Sequence, residues 1–142
     1  MTIYLDTSAV LRALLADGNP LGVWGKWDRA YSSELMGVEA RRAIDRLRLE
    51  RALDDEGAAD AHQALAAAER AIGAIRLTAE VLRRAGQPMP TVVKTLDAIH
   101  LASALLFAQH SETGLVFGTH DRGQAIAARA LGFVVVGASK RV

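Results

Sequence analysis

Short, unbroken apolar runs recur along the chain, and each is followed by a longer stretch with helical spacing. Residues 3–5 (Ile-Tyr-Leu) form the first run, closed by Asp6, and Thr7-Ser8 open an apolar segment that ends at Leu15. That pattern predicts a buried strand, a sharp corner and a helix with Thr7 or Ser8 as its cap. Asp17-Gly18-Asn19-Pro20 supplies the turn chemistry that ends it. A second helix is predicted over residues 21–29, then a short strand over 30–32.

The long segment 34–51 places Met36, Ala40, Ala43, Ile44 and Leu47 on one helical stripe. Asp54-Asp55-Glu56 opens an Ala-rich helix predicted to reach residue 72, with its acids at the favourable end of the helix dipole. A third strand is predicted over 75–77, and Thr78 caps a helix to residue 85. Gly86-Gln87-Pro88-Met89-Pro90 reads as a loop. A very apolar helix follows over 93–109, then a strand around Leu115-Val116-Phe117, a helix over 121–131 and a last strand over 133–136.

Strands that are continuous apolar runs, alternating with helices, predict a mainly parallel sheet covered on both faces. The expected fold class is therefore α/β, a three-layer α/β/α sandwich. With 142 residues and no linker or repeat, one domain spanning residues 1–142 is expected. Cysteine is absent, which excludes disulfides, thiolate metal sites and a thiol nucleophile. The charges nearly cancel, 17 basic against 16 acidic, so any role with nucleic acid must come from local distribution. The start lacks a signal-peptide pattern and no uncharged stretch is long enough for a membrane helix, so a cytoplasmic protein without membrane association is expected.

Four acids stand out. Asp6 and Asp121 each follow an apolar strand and precede a helix, so each reads either as a helix cap or as a group facing the crevice beyond the sheet's carboxyl edge. Between residues 96 and 108 the only polar side chains are Asp97, His100 and Ser103, a narrow polar line on an apolar helix. Buried carboxylates are expensive, so Asp97 needs a cation or donors beside it, unless it is simply an acid of the first helical turn. Glu39 lies about 80° from the centre of its helix's apolar stripe, at a boundary, where solvation is the plain reading.

If the four converge, each pair costs on the order of 3 kcal/mol at about 6 Å and an effective dielectric of about 20. A divalent cation relieves that repulsion. Oxygen-only ligands suit Mg²⁺ or Mn²⁺ rather than zinc, and an acidic, cation-loaded crevice has the outline of a phosphodiester-hydrolysis site.

The segments IYLDTSAVLRAL, VEARRAI, LDAIHLASAL and THDRGQAIAARALGFVVV, in that order, span most of the chain. Together they resemble PIN-domain ribonucleases, specifically the VapC-type toxins of bacterial toxin–antitoxin pairs. The resemblance implies a PIN-like fold and metal-dependent endoribonuclease activity on an RNA substrate. It implies Mg²⁺ or Mn²⁺ held by Asp6, Glu39, Asp97 and Asp121, with Ser8 and Thr119 as hydroxyls that orient carboxylates or water. It also implies a cognate VapB-type antitoxin and a homodimer. The sequence departs from the pattern at Gly37, where a basic residue is common, and at His120, where an aromatic is common.

Among the basic residues, Lys94 and Arg122 are the expected phosphate contacts, because each flanks a candidate acid. The helix cluster Arg41, Arg42, Arg46, Arg48 and Arg51 reads mostly as a solvated face. His100 and His120 are placed to tune a carboxylate; Trp24, Trp27 and Tyr31 read as hydrophobic contacts. Three rival functions stay open: a magnesium-dependent phosphatase of another α/β family, against which Ser8 stands where a second Asp is wanted; a phosphoacceptor receiver domain, whose acids only Asp6 matches; and a catalytically silent PIN-like module that binds RNA or antitoxin.

Overall fold

The computed structural model describes residues 1–15 and 18–138. Five strands, β1 (Thr2–Leu5), β2 (Arg29–Ser33), β3 (Gly73–Ile75), β4 (Leu115–Gly118) and β5 (Val134–Val136), form one sheet in the order β3-β2-β1-β4-β5. Every neighbouring pair is parallel. Six helices connect them: α1 (Thr7–Leu14), α2 (Leu35–Leu49), α3 (Asp55–Ala71), α4 (Ala79–Ala85), α5 (Thr95–Gln109) and α6 (Arg122–Ala130).

β1 shows why this is a three-layer α/β/α fold. Its successive side chains point to opposite faces of the sheet. Ile3 and Leu5 join Ala9 and Val10 of α1, Met36, Ala40 and Ile44 of α2, and Ala61 and Leu65 of α3 in one core. Tyr4, between them, joins Leu101 and Ala104 of α5, Phe117, and Ala127 and Ala128 of α6 in the other. Ile3, Tyr4 and Leu5 are fully buried, as expected of a strand covered on both faces.

From β1 the chain builds outward through β2 and β3, then returns to β1's other edge for β4 and β5. The order therefore reverses between β1 and β4, and a crevice opens beyond their carboxyl ends, the place where open parallel sheets bind ligands. The register Leu5↔Gly118 aligns those two ends.

Several local expectations are corrected. No helix forms over residues 21–29. The chain instead makes turns closed by Trp24 N–H to Leu21 and Lys26 N–H to Val23, with Gly25 at φ 76°. Trp24 and Trp27 pack against the α1–α3 core, their rings edge to face at 5.0 Å. Asp6, rather than Thr7 or Ser8, caps α1 by accepting from the Ala9 N–H at 3.1 Å. β3 starts at Gly73 and ends at Ile75, because beyond it the Leu77 N–H is taken by the Glu34 side chain at 2.9 Å. α1 ends at Leu14, and of the turn expected after it Asp17 lies outside the described residues. None of the described helices is long and apolar enough to cross a membrane.

Candidate active site

Asp6 leaves β1 at its carboxyl end and is only 4% exposed. One of its carboxylate oxygens accepts from Ser8 Oγ at 2.6 Å and from the Ala9 N–H. The other accepts from the Thr119 hydroxyl. Thr119 follows β4 directly, and its Oγ1 also accepts the Asp121 N–H at 2.9 Å. Ser8 Oγ accepts the His120 N–H at 3.0 Å. The β1–α1 and β4–α6 corners are thus stitched together through two hydroxyls. Burial drives the Asp6 carboxyl above the usual aspartate range, opposed by these donors and by His100.

Glu39 projects from α2 toward the same place. Its Oε1 accepts from Thr7 Oγ1 at 2.9 Å and lies 2.6 Å from His100 Nε2. Partial burial pushes its carboxyl up, but the hydrogen bonds from His100 and Thr7 and the electrostatic pull of the His100 ring outweigh that, and the net displacement is downward. Glu39 therefore works as a carboxylate. The solvated-face reading of its sequence position is overturned by a partner 61 residues away.

Asp97 enters from the first turn of α5, and α5 is tied to α6 by Gln124 Nε2, which donates to the Asp97 backbone carbonyl at 3.0 Å. Asp121 caps α6 by accepting from the Gln124 N–H at 2.8 Å, so both readings of this strand-end acid hold at once. The Asp97 carboxyl is raised first by burial, then by the negative charges of Asp121, Asp6 and Glu39, with His100 opposing. That ordering shows the acids within electrostatic reach of one another.

All four carboxylates line one cavity of about 420 Å³, with Thr7, Ser8 and His100 beside them. Leu11, Leu35, Val38 and Leu96 make its apolar wall, and Arg42 and Arg46 of α2 complete it. A larger cavity of about 540 Å³ between α4 and α5 has no titratable side chain in its lining.

The basic residues that border the cavity are not the ones favoured from sequence as phosphate contacts. Lys94 and Arg122 do not line the cavity; Arg42 and Arg46 do. The helix cluster is mixed in role: Arg41 pairs with Glu69 at 2.6 Å and Arg48 with Asp45 at 2.8 Å, as solvated pairs. Arg42 leans on the same Asp45 at 3.1 Å, while Arg46 has no carboxylate partner among the described residues. Arg42 and Arg46 are four apart and share a face with Glu39 and Ala43, a signal the helical period carried. Thr7 and Tyr4 were missed as well; both adjoin Asp6 in a strand-end segment where every side chain must find a place.

His100 is placed to tune carboxylates, as expected, and its hydrogen-bond partner is Glu39 of another helix rather than a residue of its own polar line. His120 differs from expectation. It makes no hydrogen bond to Asp121; its Nε2 is buried without a partner among the described residues, and burial with the nearby Arg12 charge lowers its pKa. At Gly37 a Cβ would meet only the flexible ends of the Arg41 and Glu69 side chains, within 2.9 Å.

A hard divalent cation fits the chemistry of this donor set: four carboxylates, no sulfur, and repulsion already acting among them. As the side chains stand, no three His, Asp or Glu groups among the described residues are gathered closely enough to hold one ion. Closing such a shell requires side-chain rotation. The Asp97 carboxylate, partly exposed and without a hydrogen bond among the described residues, is the most free to turn.

A parallel α/β/α sandwich with acids at the reversal of its strand order belongs to the open-sheet class that binds ligands beyond the carboxyl ends of its strands. The PIN domain matches residues 3–130 of the chain, which therefore belongs to the PIN-domain family. The PIN domain is in general a metal-dependent nuclease domain. No curated protein matches the chain.

Proposed function

We propose that the protein is a metal-dependent endoribonuclease and the toxin of a toxin–antitoxin pair. The observation that carries the nuclease reading is the convergence of Asp6, Glu39, Asp97 and Asp121 on one cavity whose rim carries Arg42 and Arg46. Carboxylates alone would repel a polyanion. Carboxylates with a cation among them and arginines at the edge attract one.

In this reading Asp6, Glu39 and Asp97 hold Mg²⁺ or Mn²⁺ directly or through water, and Asp121 supports the site from the exposed side. Such a cation, when bound, polarises the phosphoryl oxygen and activates water as the attacking group. Ser8 and Thr119 fix both Asp6 oxygens, so that carboxylate enters the site in one orientation. Arg42 and Arg46 hold the phosphates that flank the scissile one. The apolar wall formed by Leu11, Leu35, Val38 and Leu96 gives an unstacked base or ribose a dry surface. The toxin role, a VapB-type antitoxin that fills this groove, and a homodimer rest on the resemblance of the four sequence segments.

The direct test uses purified protein with single-stranded RNA and added Mg²⁺ or Mn²⁺. Cleavage that stops with chelator and with Asp6→Asn or Asp97→Asn supports the proposal. Equal cleavage by the Asn variants sinks the assignment, and no cleavage under any metal returns the protein to the silent, RNA- or antitoxin-binding reading. Neutralisation by the product of an adjacent small gene tests the toxin role separately.

A further inference from the structure

A buried hydrogen-bond chain runs from the sheet to Glu39 through residues outside the acidic quartet. The Ser33 N–H of β2 donates to Tyr4 Oη of β1 at 3.2 Å. Tyr4 Oη lies 2.6 Å from His100 Nδ1, and His100 Nε2 lies 2.6 Å from Glu39 Oε1. Tyr4 is fully buried and His100 is 2% exposed. Burying three polar groups in an apolar layer is costly, and the cost is tolerable only if every donor meets an acceptor.

The proton positions follow from that requirement. Glu39 Oε1 is a carboxylate oxygen and carries no proton, so Nε2 must supply one. Tyr4 Oη already receives the Ser33 N–H, and its own proton has Nδ1 as an acceptor within bonding distance. The ring proton therefore sits on Nε2, aimed at Glu39, and Thr7 Oγ1 donates to the same oxygen. Two donors saturate Oε1, whereas Oε2 takes no hydrogen bond from a described residue.

We infer that His100 is a positioning residue, which Tyr4 locks as an Nε2–H donor so that Glu39 presents a single oxygen, Oε2, to a divalent cation. This rests on the reading of the cavity as a cation site. Outer partners of this kind commonly change metal affinity about ten- to hundredfold when removed.

Two variants of similar polarity separate positioning from packing. The amide nitrogen of Gln reaches about as far as Nε2, and the amide oxygen of Asn, an acceptor for the Tyr4 hydroxyl, about as far as Nδ1. In His100→Gln the donor to Glu39 survives; in His100→Asn the bond to Tyr4 survives and Glu39 loses its partner. Mn²⁺ affinity, read by electron paramagnetic resonance on the RNA-free protein, is expected within about threefold of wild type for H100Q and about ten- to hundredfold weaker for H100N. Equal affinities in the two variants, whether both retained or both lost, overturn the inference while leaving the nuclease reading intact. Wild-type protein that binds no Mn²⁺ overturns the cation reading and this inference with it. The ¹⁵N spectrum of wild-type His100 needs no variant to fold: a protonated Nε2 supports the chain, and a bare Nε2 overturns it.

Discussion

The hydroxyl of Thr119 donates to the carboxylate of Asp6, although the two residues are 113 positions apart, and the same oxygen accepts the Asp121 N–H at 2.9 Å. One side chain thus orients one acid of the site and fixes the backbone that carries another. The link is possible because β1 and β4 are parallel neighbours in register, so the residues that follow them come out side by side.

Thr119→Val keeps the shape and removes the hydroxyl. It leaves one oxygen of a buried carboxylate and the Asp121 N–H without a partner, at a cost of about 1–3 kcal/mol. Urea unfolding should show that loss, and Thr119→Ser should recover most of it. A Val variant as stable as wild type would mean that the bond does not hold Asp6.

Asp97→Asn should stabilise the protein while removing its cleavage. Burial and the charges of Asp121 and Asp6 raise the Asp97 pKa in the folded state. The folded state therefore holds the proton more tightly than the unfolded chain. The stability this contributes is complete below the ordinary aspartate range and is lost as pH rises through the raised folded value. At pH 7 the ionised group is a burden that Asn lacks, so D97N should melt higher there. The gap should close on acidification, and added Mn²⁺ should raise the wild-type melting temperature more than that of D97N. A variant that melts lower than wild type at pH 7 would contradict the repulsion.

Arg46→Ala should weaken binding to single-stranded RNA and make it less salt-dependent. One lost phosphate contact lowers the slope of log K against log salt by about 0.7. Lys94→Ala, whose side chain lies off the cavity, should leave the slope unchanged. A reversed result would return the phosphate contacts to the positions favoured from sequence.

Gly137→Ala should damage the Thr119 corner from behind. Gly137 has φ of 110°, and a Cβ there would lie 2.3 Å from the Thr119 carbonyl oxygen and 2.2 Å from the Leu21 side chain. Backbone strain of about 1–3 kcal/mol adds to that overlap. Equilibrium unfolding should show a loss larger than for Gly114→Ala, where a Cβ meets nothing within 4 Å.

The sequence by itself determined the strand–corner–helix units and the two acids at their ends. A continuous apolar run followed by Asp is a local statement: the strand buries itself, and the helix that follows needs a cap, which Asp6 and Asp121 both provide. Asp97 was legible for the same reason, because a carboxylate on an apolar helix is anomalous wherever the helix goes. Only the tertiary structure decided the place of Glu39, which acquires its role from His100 on a different helix and Thr7 on a third. It also decided that Arg42 and Arg46, rather than Lys94 and Arg122, border the cavity. Helical period says which residues share a face, but the neighbour that face meets depends on strand order and on the rotation of each helix over the sheet. Those are set by long-range packing, and they bring together groups that the chain itself keeps far apart.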